Sequence, residues 1–190
     1  MPKQTFFNLP EEKRQRILEL ALKEFAAHPY SQASLSRIVE QAGIAKGSIY
    51  QYFHNKLDLY IYLLRLAAQA KLRAIEEAVA ALGPAPDVFK ALAATMRAGI
   101  ELARSRPDLA ALALNILKES NPEVRRRVMA EVSMAGETTA LEWFQQAKAA
   151  GQIAERVDPA TAWLVVFGVG MVVNQELAAR RIGLDEAEKL

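Results

Sequence analysis

The sequence contains no cysteine among its 190 residues. Disulfide bonds, thiolate-bound metals and cysteine nucleophiles are therefore excluded. It has only two histidines, His28 and His54, which lie too far apart in the chain to form a metal-binding motif. No nucleophile stands beside a base elsewhere in the sequence. We therefore expect no metal site, no cofactor and no enzymatic activity.

Long apolar runs are also missing. The most apolar stretch, residues 163–173, is shorter than the roughly 18 residues that a membrane-spanning helix needs. The first residues of the chain contain no apolar core of signal-peptide length. These absences predict a cytoplasmic protein with no membrane partner.

Neither sign of charge dominates the chain. There are 24 lysines and arginines against 22 aspartates and glutamates, so the net charge is +2. The excess lies in the first sixty residues, which hold eight basic and six acidic side chains. So small an excess does not by itself indicate a nucleic-acid partner, and a DNA-binding role has to rest on a motif.

Helical spacing of apolar residues recurs along nearly the whole chain. Ile17, Ala21 and Phe25 follow one another at four-residue steps, which places them on one helix face. Residues 164–167 have β propensity, but a lone strand would have no partner. Capping residues and helix breakers separate the predicted helices: Ser34, Gly43, Asn55, Gly83-Pro84, Asp87, Asn121-Pro122, Gly151 and Asp158-Pro159. We predict an all-α fold whose last main helix ends near Arg181, before Gly183.

Two of these helices, predicted at residues 35–42 and 46–53, are short and are joined by a turn at Gly43. This arrangement is typical of a helix-turn-helix, in which the second helix enters the major groove of DNA. Lys46 can reach a phosphate or a guanine edge. Gly47 lets the backbone approach DNA closely. Ser48 and Gln51 supply hydrogen-bonding groups on the outward face.

Three further residues extend the predicted DNA surface. Tyr50 and Tyr52 offer hydroxyl groups to phosphates, although packing in the core is an alternative for Tyr52. Lys56 adds a cation at the start of a fourth helix, predicted at residues 56–82, where the positive helix end also favours an anion.

The string A-G-I-A-K-G-S-I-Y-Q-Y-F-H-N-K at residues 42–56, preceded by Ile17, Ala21, Phe25 and Leu35, resembles the TetR family of regulators. The resemblance implies an all-α homodimer with a DNA-binding domain at residues 1–55 and a larger ligand-binding and dimerisation domain at residues 56–190. Pro29 departs from the family pattern, which usually has glycine at that place. The DNA contacts that the resemblance implies are at Ser34, Lys46, Gly47, Ser48, Tyr50, Gln51, Tyr52 and Lys56.

The resemblance also implies an effector pocket among the C-terminal helices. Its candidate residues are large side chains and one cation: Tyr62, Phe89, Met96, Trp143, Phe167 and Arg97. A charge on an otherwise apolar face needs a partner, so such a pocket favours a largely apolar molecule with an anionic group. A plain core with an exposed arginine is the alternative.

These patterns together predict a ligand-responsive transcriptional repressor that binds a palindromic operator in double-stranded DNA as a homodimer. The last two helices carry many large apolar residues, including Trp163, Leu164 and Val172. So many favour pairing of these helices between two copies of the chain over a purely monomeric core. Regulation by a protein partner instead of a small molecule is the second hypothesis. An enzyme on the C-terminal helices is the third, and the sequence offers no acid–base constellation for it.

Overall fold

The computed structural model describes residues 1–84 and 86–180, with side chains for all of these except residues 132–139, 171 and 173–180. The described residues form helices and no strand, as predicted. The helices are α1 Gln4–Phe7, α2 Glu11–Ala27, α3 Leu35–Ala42, α4 Ser48–Tyr52, α5 Lys56–Ala80, α6 Val88–Ser105, α7 Pro107–Asn115, α8 Pro122–Ala149 and α9 Pro159–Arg180. The helix end predicted near Arg181 and Gly183 lies outside the described residues.

The predicted capping residues begin and end these helices. The Ser34 hydroxyl accepts a hydrogen bond from the Arg37 amide at 3.4 Å, and the Asn121 side chain accepts from the amides of Glu123 and Val124. Asn55, Asp87 and Asp158 cap α5, α6 and α9 in the same way. Gly43 and Gly151 close α3 and α8 with left-handed φ angles of 67° and 71°.

The second helix of the predicted helix-turn-helix is shorter than expected. It covers Ser48–Tyr52 rather than residues 46–53, since Lys46 lies in the preceding turn and Phe53 is extended at φ −131° and ψ 147°. The fourth helix ends at Ala80 rather than residue 82. Residues 164–167, despite their β propensity, lie inside the α9 helix.

Contacts within the chain divide it into two compact units. The first unit comprises Met1–Ala68 and Arg106–Val132, and the second comprises Gln69–Ser105 and Ser133–Leu190. This division follows contacts within the chain and cuts α5 and α8, whereas the predicted boundary after residue 55 follows from the resemblance to the TetR family. The predicted domain boundary therefore stays a prediction.

The first unit has a core of large side chains. Ile17, Ala21 and Phe25 on α2 are completely buried, as the four-residue spacing predicts, and α2 packs against α3 and α7. From α7, the buried Asn115 side chain donates hydrogen bonds to the carbonyls of Phe25 and Ala26, both at 2.9 Å. These bonds join the C-terminal end of α2 to α7.

The second unit has two smaller clusters. The first cluster consists of the buried residues Val79, Ala91 and Ala94, and Trp143 packs against them. The second cluster consists of the buried residues Val88, Phe144 and Ala147. The partly buried residues that pack against it are Leu92, Ile153, Ala162, Trp163 and Val166. In the part of the chain that the structure describes, no helix is both long and apolar enough to cross a membrane.

Candidate nucleic-acid interface

The start of the helix-turn-helix is fixed by a buried carboxylate on α2. Glu24 is 9% exposed and accepts hydrogen bonds from the Ser34 amide at 2.7 Å and from the Arg37 guanidinium at 3.0 Å. Burial alone would raise the pKa of Glu24, but the hydrogen bonds from Arg37 and Ser34 outweigh it and the pKa is lowered. The carboxylate therefore stays ionised and holds the first turn of α3 against α2.

The α4 helix divides cleanly into a buried face and an exposed face. Ile49 and Phe53 are 2% and 1% exposed, so they anchor the helix in the core. On the opposite side Tyr50 is 51% exposed, and Lys46 and Gln51 are exposed as well. These outward side chains can reach a DNA groove without any rearrangement of the core.

Gly47 lies at the N-cap of α4 with a φ of −73°, which any residue adopts. A Cβ atom added at Gly47 would meet nothing within 4 Å. The protein's own packing therefore gives no reason for a glycine here, and an approaching DNA backbone would give one.

Two of the predicted DNA contacts lie differently from the others. Tyr52 is 7% exposed, and its ring centroid lies 6.2 Å from that of Phe6, so it packs in the core, as the alternative interpretation held. The Lys56 ammonium points inward and donates to the carbonyls of Tyr30 at 2.6 Å and Ala33 at 3.0 Å. It also lies 4.4 Å from the centroid of the Tyr30 ring.

This position gives Lys56 a structural role that the sequence did not suggest. Burial lowers the pKa of Lys56, while the carboxylates of Glu119 and Glu24 favour the charged form. The ammonium ties α5 to the connection between α2 and α3, immediately before the Ser34 cap. DNA contact by Lys56 and by Tyr52 stays a prediction, and the structure occupies both side chains with other contacts.

Comparison with known proteins connects this geometry to a family. The family model for bacterial regulatory proteins of the tetR family matches residues 17–63, which run from the middle of α2 through α3 and α4 to the start of α5. A TetR family transcriptional regulator from Chloroflexus aurantiacus J-10-FL is 33% identical, with 98% of this chain and 85% of that chain covered and a TM-score of 0.66. The chain belongs to the TetR family. It is a DNA-binding transcriptional regulator and not an enzyme.

Two curated TetR-family relatives extend along most of the chain. The fatty acid metabolism regulator protein of Bacillus subtilis (strain 168) is 28% identical over 157 residues, which are 82% of this chain and 78% of that protein. The probable acrEF/envCD operon repressor of Escherichia coli (strain K12) is 27% identical over 176 residues, which are 90% of this chain and 79% of that protein.

The candidate effector residues of this TetR-family chain do not form one group in the structure. Arg97 lines a groove of about 400 Å³ with Leu82 and Glu101, and Trp143 lines a second cavity of about 100 Å³. Phe89 and Met96 are 66% and 47% exposed. Phe167 packs against Trp163 at 5.4 Å, and Tyr62 packs against Phe6 and Phe53 in the first unit. A ligand-binding role stays a prediction for all six residues.

Sequence reasoning missed a buried carboxylate that supports the helix-turn-helix. Glu119 is 2% exposed and accepts hydrogen bonds from the amides of Ser31 at 3.0 Å and Asn121 at 2.9 Å. It therefore links the connection after α2 to the segment before α8. The only sequence signal nearby is the helix start at Asn121-Pro122, which says nothing of Glu119. Among the residues with described side chains, no group of three or more acidic or histidine side chains could hold a metal ion.

Proposed function

We propose that this regulator is a ligand-responsive repressor that binds a palindromic operator as a homodimer. The observation that supports operator binding is that α4 has one face buried in the core and one face exposed to solvent. Ile49 and Phe53 fix it in the core, while Lys46, Tyr50 and Gln51 stand exposed beside Gly47. Such a helix presents a small set of base-reading and phosphate-binding groups on a rigid support.

A homodimer is supported by the exposed apolar side chains of α9. Leu164, Val165, Val169 and Val172 are 68%, 59%, 49% and 59% exposed, and the three valines share one helix face because they stand four and three residues apart. A contiguous apolar stripe of this kind is costly in water and marks an association surface. Pairing would also place two copies of α4 on the two half-sites of an operator.

Light scattering at micromolar concentration tests the dimer. We expect the wild type to have twice the mass of the chain and the variant Val165→Glu/Val169→Glu to have the mass of one chain. Because both valines are exposed, the double variant should retain the helical circular dichroism of the wild type. A wild type that is already monomeric would contradict the homodimer.

The effector is proposed to be an amphipathic molecule of the fatty-acyl class. The Bacillus subtilis relative regulates fatty acid metabolism by its name, and the groove beside Arg97 is lined otherwise by Ala78, Leu82, Ala94, Ala98 and Glu101. Alanine and leucine side chains suit an alkyl chain, and a guanidinium suits a carboxylate or phosphate. An effector that prefers a conformer with wrongly spaced recognition helices would release DNA by shifting the population.

Fluorescence anisotropy on the promoter region beside the protein's own gene, supplemented by a genomic fragment screen, tests operator binding. At fixed salt, we expect nanomolar affinity for one fragment in the wild type. Lys46→Ala and Gly47→Ala should each weaken binding by about tenfold or more, whereas Lys13→Ala, at an exposed lysine on α2, should change it about twofold or less. Absence of any specific fragment, or equal loss in all three variants, would contradict the assignment.

The effector test uses the fragment found in that experiment. Fatty acids and fatty-acyl thioesters of increasing chain length are titrated into the protein–DNA complex. We expect release by long-chain members and a weaker response in Arg97→Ala than in Arg73→Ala, an exposed arginine of the same unit. If no member of either series alters DNA affinity, the protein-partner hypothesis replaces the small-molecule one.

A further inference from the structure

The recognition helix α4 is too short to hold its own shape. It has five residues, Ser48–Tyr52, which is little more than one turn. The last carbonyls of any helix lack donors within the helix, and isolated helices of this length are unstable in water. Within α4 the Phe53 amide bonds to the Ile49 carbonyl, and the His54 amide turns to the Asp58 carboxylate at 3.3 Å instead of continuing the helix. The carbonyls of residues 50–52 must therefore find donors elsewhere.

The N-terminal residues supply a donor to each of these three carbonyls. The Lys3 ammonium donates to the Tyr50 carbonyl at 2.8 Å, and the Lys3 amide donates to the Tyr52 carbonyl at 2.8 Å. Between them, the Thr5 hydroxyl donates to the Gln51 carbonyl. The ammonium also places a positive charge at the negative end of the helix, where it is favoured.

A buried aromatic ring keeps these donors in place. Phe6, the third residue of α1, is completely buried. Its ring centroid lies 6.2 Å from that of Tyr52, the residue that ends α4, and 4.9 Å from that of Phe53, the residue after it. Tyr62 on α5 closes the other side at 6.0 Å in an edge-to-face arrangement. Burial of the phenylalanine side chain offsets part of the entropy lost when residues 1–9 become ordered.

We propose that residues 1–9 form a clamp that positions the recognition helix for base reading, with Lys3, Thr5 and Phe6 as its positioning residues. The clamp bonds the carbonyls of Tyr50 and Gln51, whose exposed side chains are predicted to contact DNA. Fixing the backbone at these two residues fixes the position and direction from which the Tyr50 and Gln51 side chains extend. Loosening the clamp therefore reduces sequence-specific binding more than non-specific binding, which depends on charge and tolerates changes in geometry. The part concerning DNA rests on the proposed operator binding.

The first test needs no operator. Amide hydrogen exchange is measured on the free full-length protein for the wild type, for Lys3→Met/Thr5→Val, and for Lys13→Met as a control for the lost charge. We expect the Tyr52 and Phe53 amides to exchange about tenfold faster in the double variant, the factor that loss of two hydrogen bonds implies. Amides in the middle of α2 should exchange as in the wild type. Unchanged exchange at α4 in a folded double variant overturns the clamp.

The second test measures operator affinity against affinity for an unrelated duplex of equal length. The double variant should lose about tenfold in specific binding and no more than Lys13→Met in non-specific binding. Lys3→Arg/Thr5→Ser, which keeps both donors, should restore the specific affinity. The salt dependence decides whether Lys3 binds phosphate directly: a lost phosphate contact lowers the slope of log affinity against log salt by about one, and a positioning role leaves it unchanged. A lowered slope with unchanged exchange at α4 overturns the clamp. If neither the wild type nor any variant binds a specific fragment, the operator proposal is rejected, and the exchange test still decides the clamp.

Discussion

The two compact units differ in what they bury. The largest fully buried side chains among the described residues all lie in the first unit: Tyr60, Phe6, Phe25, Phe53, Ile17, Ile38, Ile49, Leu59, Leu112 and Val128. Among its residues with described side chains, the second unit buries mostly alanine and valine, and it exposes large apolar side chains at Leu82, Phe89, Met96, Leu164, Val165, Val169 and Val172. The first unit therefore holds the largest buried side chains, although it too exposes Met1, Phe7 and Tyr50, and the described part of the second unit exposes the larger number of large apolar side chains.

Buried polar groups follow the same division. Glu24, Asn115 and Glu119 are the buried polar or charged side chains among those described, and all three lie in the first unit. Each one bonds backbone groups of residues 25–34 or 121, around the start of the helix-turn-helix. Satisfied buried polar groups specify one arrangement, because any other arrangement leaves a donor or acceptor without a partner. A unit that must place a reading helix on DNA benefits from this specificity, whereas a unit that responds to an effector, as proposed for the second unit, has to accept more than one packing.

The chain's aromatic residues make the two units separately observable. All five tyrosines, at positions 30, 50, 52, 60 and 62, belong to the first unit, and both tryptophans, Trp143 and Trp163, belong to the second. The tyrosine bands of the second-derivative absorbance spectrum, which are separable from those of tryptophan, therefore follow unfolding of the first unit, and tryptophan fluorescence follows the second. Urea unfolding monitored by both signals can assign each loss of stability to one unit.

The largest expected effect comes from removing one core ring of the first unit. Phe25 is completely buried, and its ring lies 4.9 Å from that of Tyr60. Phe25→Ala should lower the free energy of unfolding by about 3–5 kcal/mol, because it removes apolar contacts and leaves a cavity. Phe89→Ala in the second unit, where the ring is 66% exposed, should change the free energy by less than about 0.5 kcal/mol. Urea unfolding by the tyrosine and tryptophan signals measures the two effects.

The comparison of units would fail if the two phenylalanine variants lost similar stability. A large loss at Phe89 would mean that a partner or a second copy covers that ring in solution. Measuring the unfolding free energy of the wild type and Phe89→Ala at two protein concentrations tests for a second copy, because stability that depends on self-association rises with concentration.

A smaller effect is expected from the buried amide that joins α2 to α7. Asn115→Leu keeps the number and branching of the side-chain heavy atoms, in a larger side chain, but removes the donors to the carbonyls of Phe25 and Ala26. One buried and one partly buried carbonyl without partners should lower the free energy of unfolding by about 1–3 kcal/mol. Lys118→Leu, at an exposed position three residues further on, is the matched control and should have little effect. Equal stability of Asn115→Leu and the wild type would show that water replaces the lost donors.

Much of the first unit could be predicted from the sequence, because its signals are local. The spacing of Ile17, Ala21 and Phe25 and the caps at Ser34 and Gly43 depend on residues within one or two turns of each other. These elements are confirmed. The short α1 helix was not predicted, since four residues give no periodicity and Phe6 shows its purpose only through distant partners.

The direction of polar side chains could not be predicted for the same reason. Lys56 was expected to face an anion, yet its ammonium finds three backbone carbonyls on a segment about 25 residues earlier in the chain. The burial of Glu119 likewise depends on Ser31, which is remote in sequence. The role of the candidate effector residues stays a prediction, because the clusters of the second unit are small and are lined by residues from separate helices.

A pH-dependent effect of intermediate size is expected from Glu24. Its pKa is lowered from the ordinary value of 4.5 in the folded protein, so the carboxylate contributes stability above that value and loses it as the pH falls through the folded pKa. Glu24→Gln should cost roughly 1–2 kcal/mol at pH 7, at the lower end for charged hydrogen bonds because Arg37 is half exposed. Thermal midpoints measured from pH 7 to pH 3 should fall more steeply in the wild type than in Glu24→Gln. Parallel curves would exclude Glu24 as a source of acid sensitivity.

The smallest effects should be equal in the two units, because they arise from local backbone geometry rather than from the core. Gly43 ends α3 and Gly151 ends α8, with φ angles of 67° and 71°. Both ends have the same hydrogen bond from the following residue's amide to a carbonyl five residues earlier: Ile44 to Val39 at 3.1 Å, and Gln152 to Ala147 at 2.9 Å. A Cβ atom added at either glycine would meet nothing within 4 Å, so only the left-handed conformation opposes a side chain.

Gly43→Ala and Gly151→Ala should therefore each lower the free energy of unfolding by about 1 kcal/mol, the first in the tyrosine signal and the second in the tryptophan signal. Asparagine tolerates the left-handed region better than alanine, so Gly43→Asn and Gly151→Asn should recover part of the loss. Equal costs would place the difference between the units in side-chain packing alone. A cost at Gly151 well below that at Gly43 would mean that the loosely packed unit relaxes its backbone around a strained residue, and the contrast between the units would then extend from their cores to their helix ends.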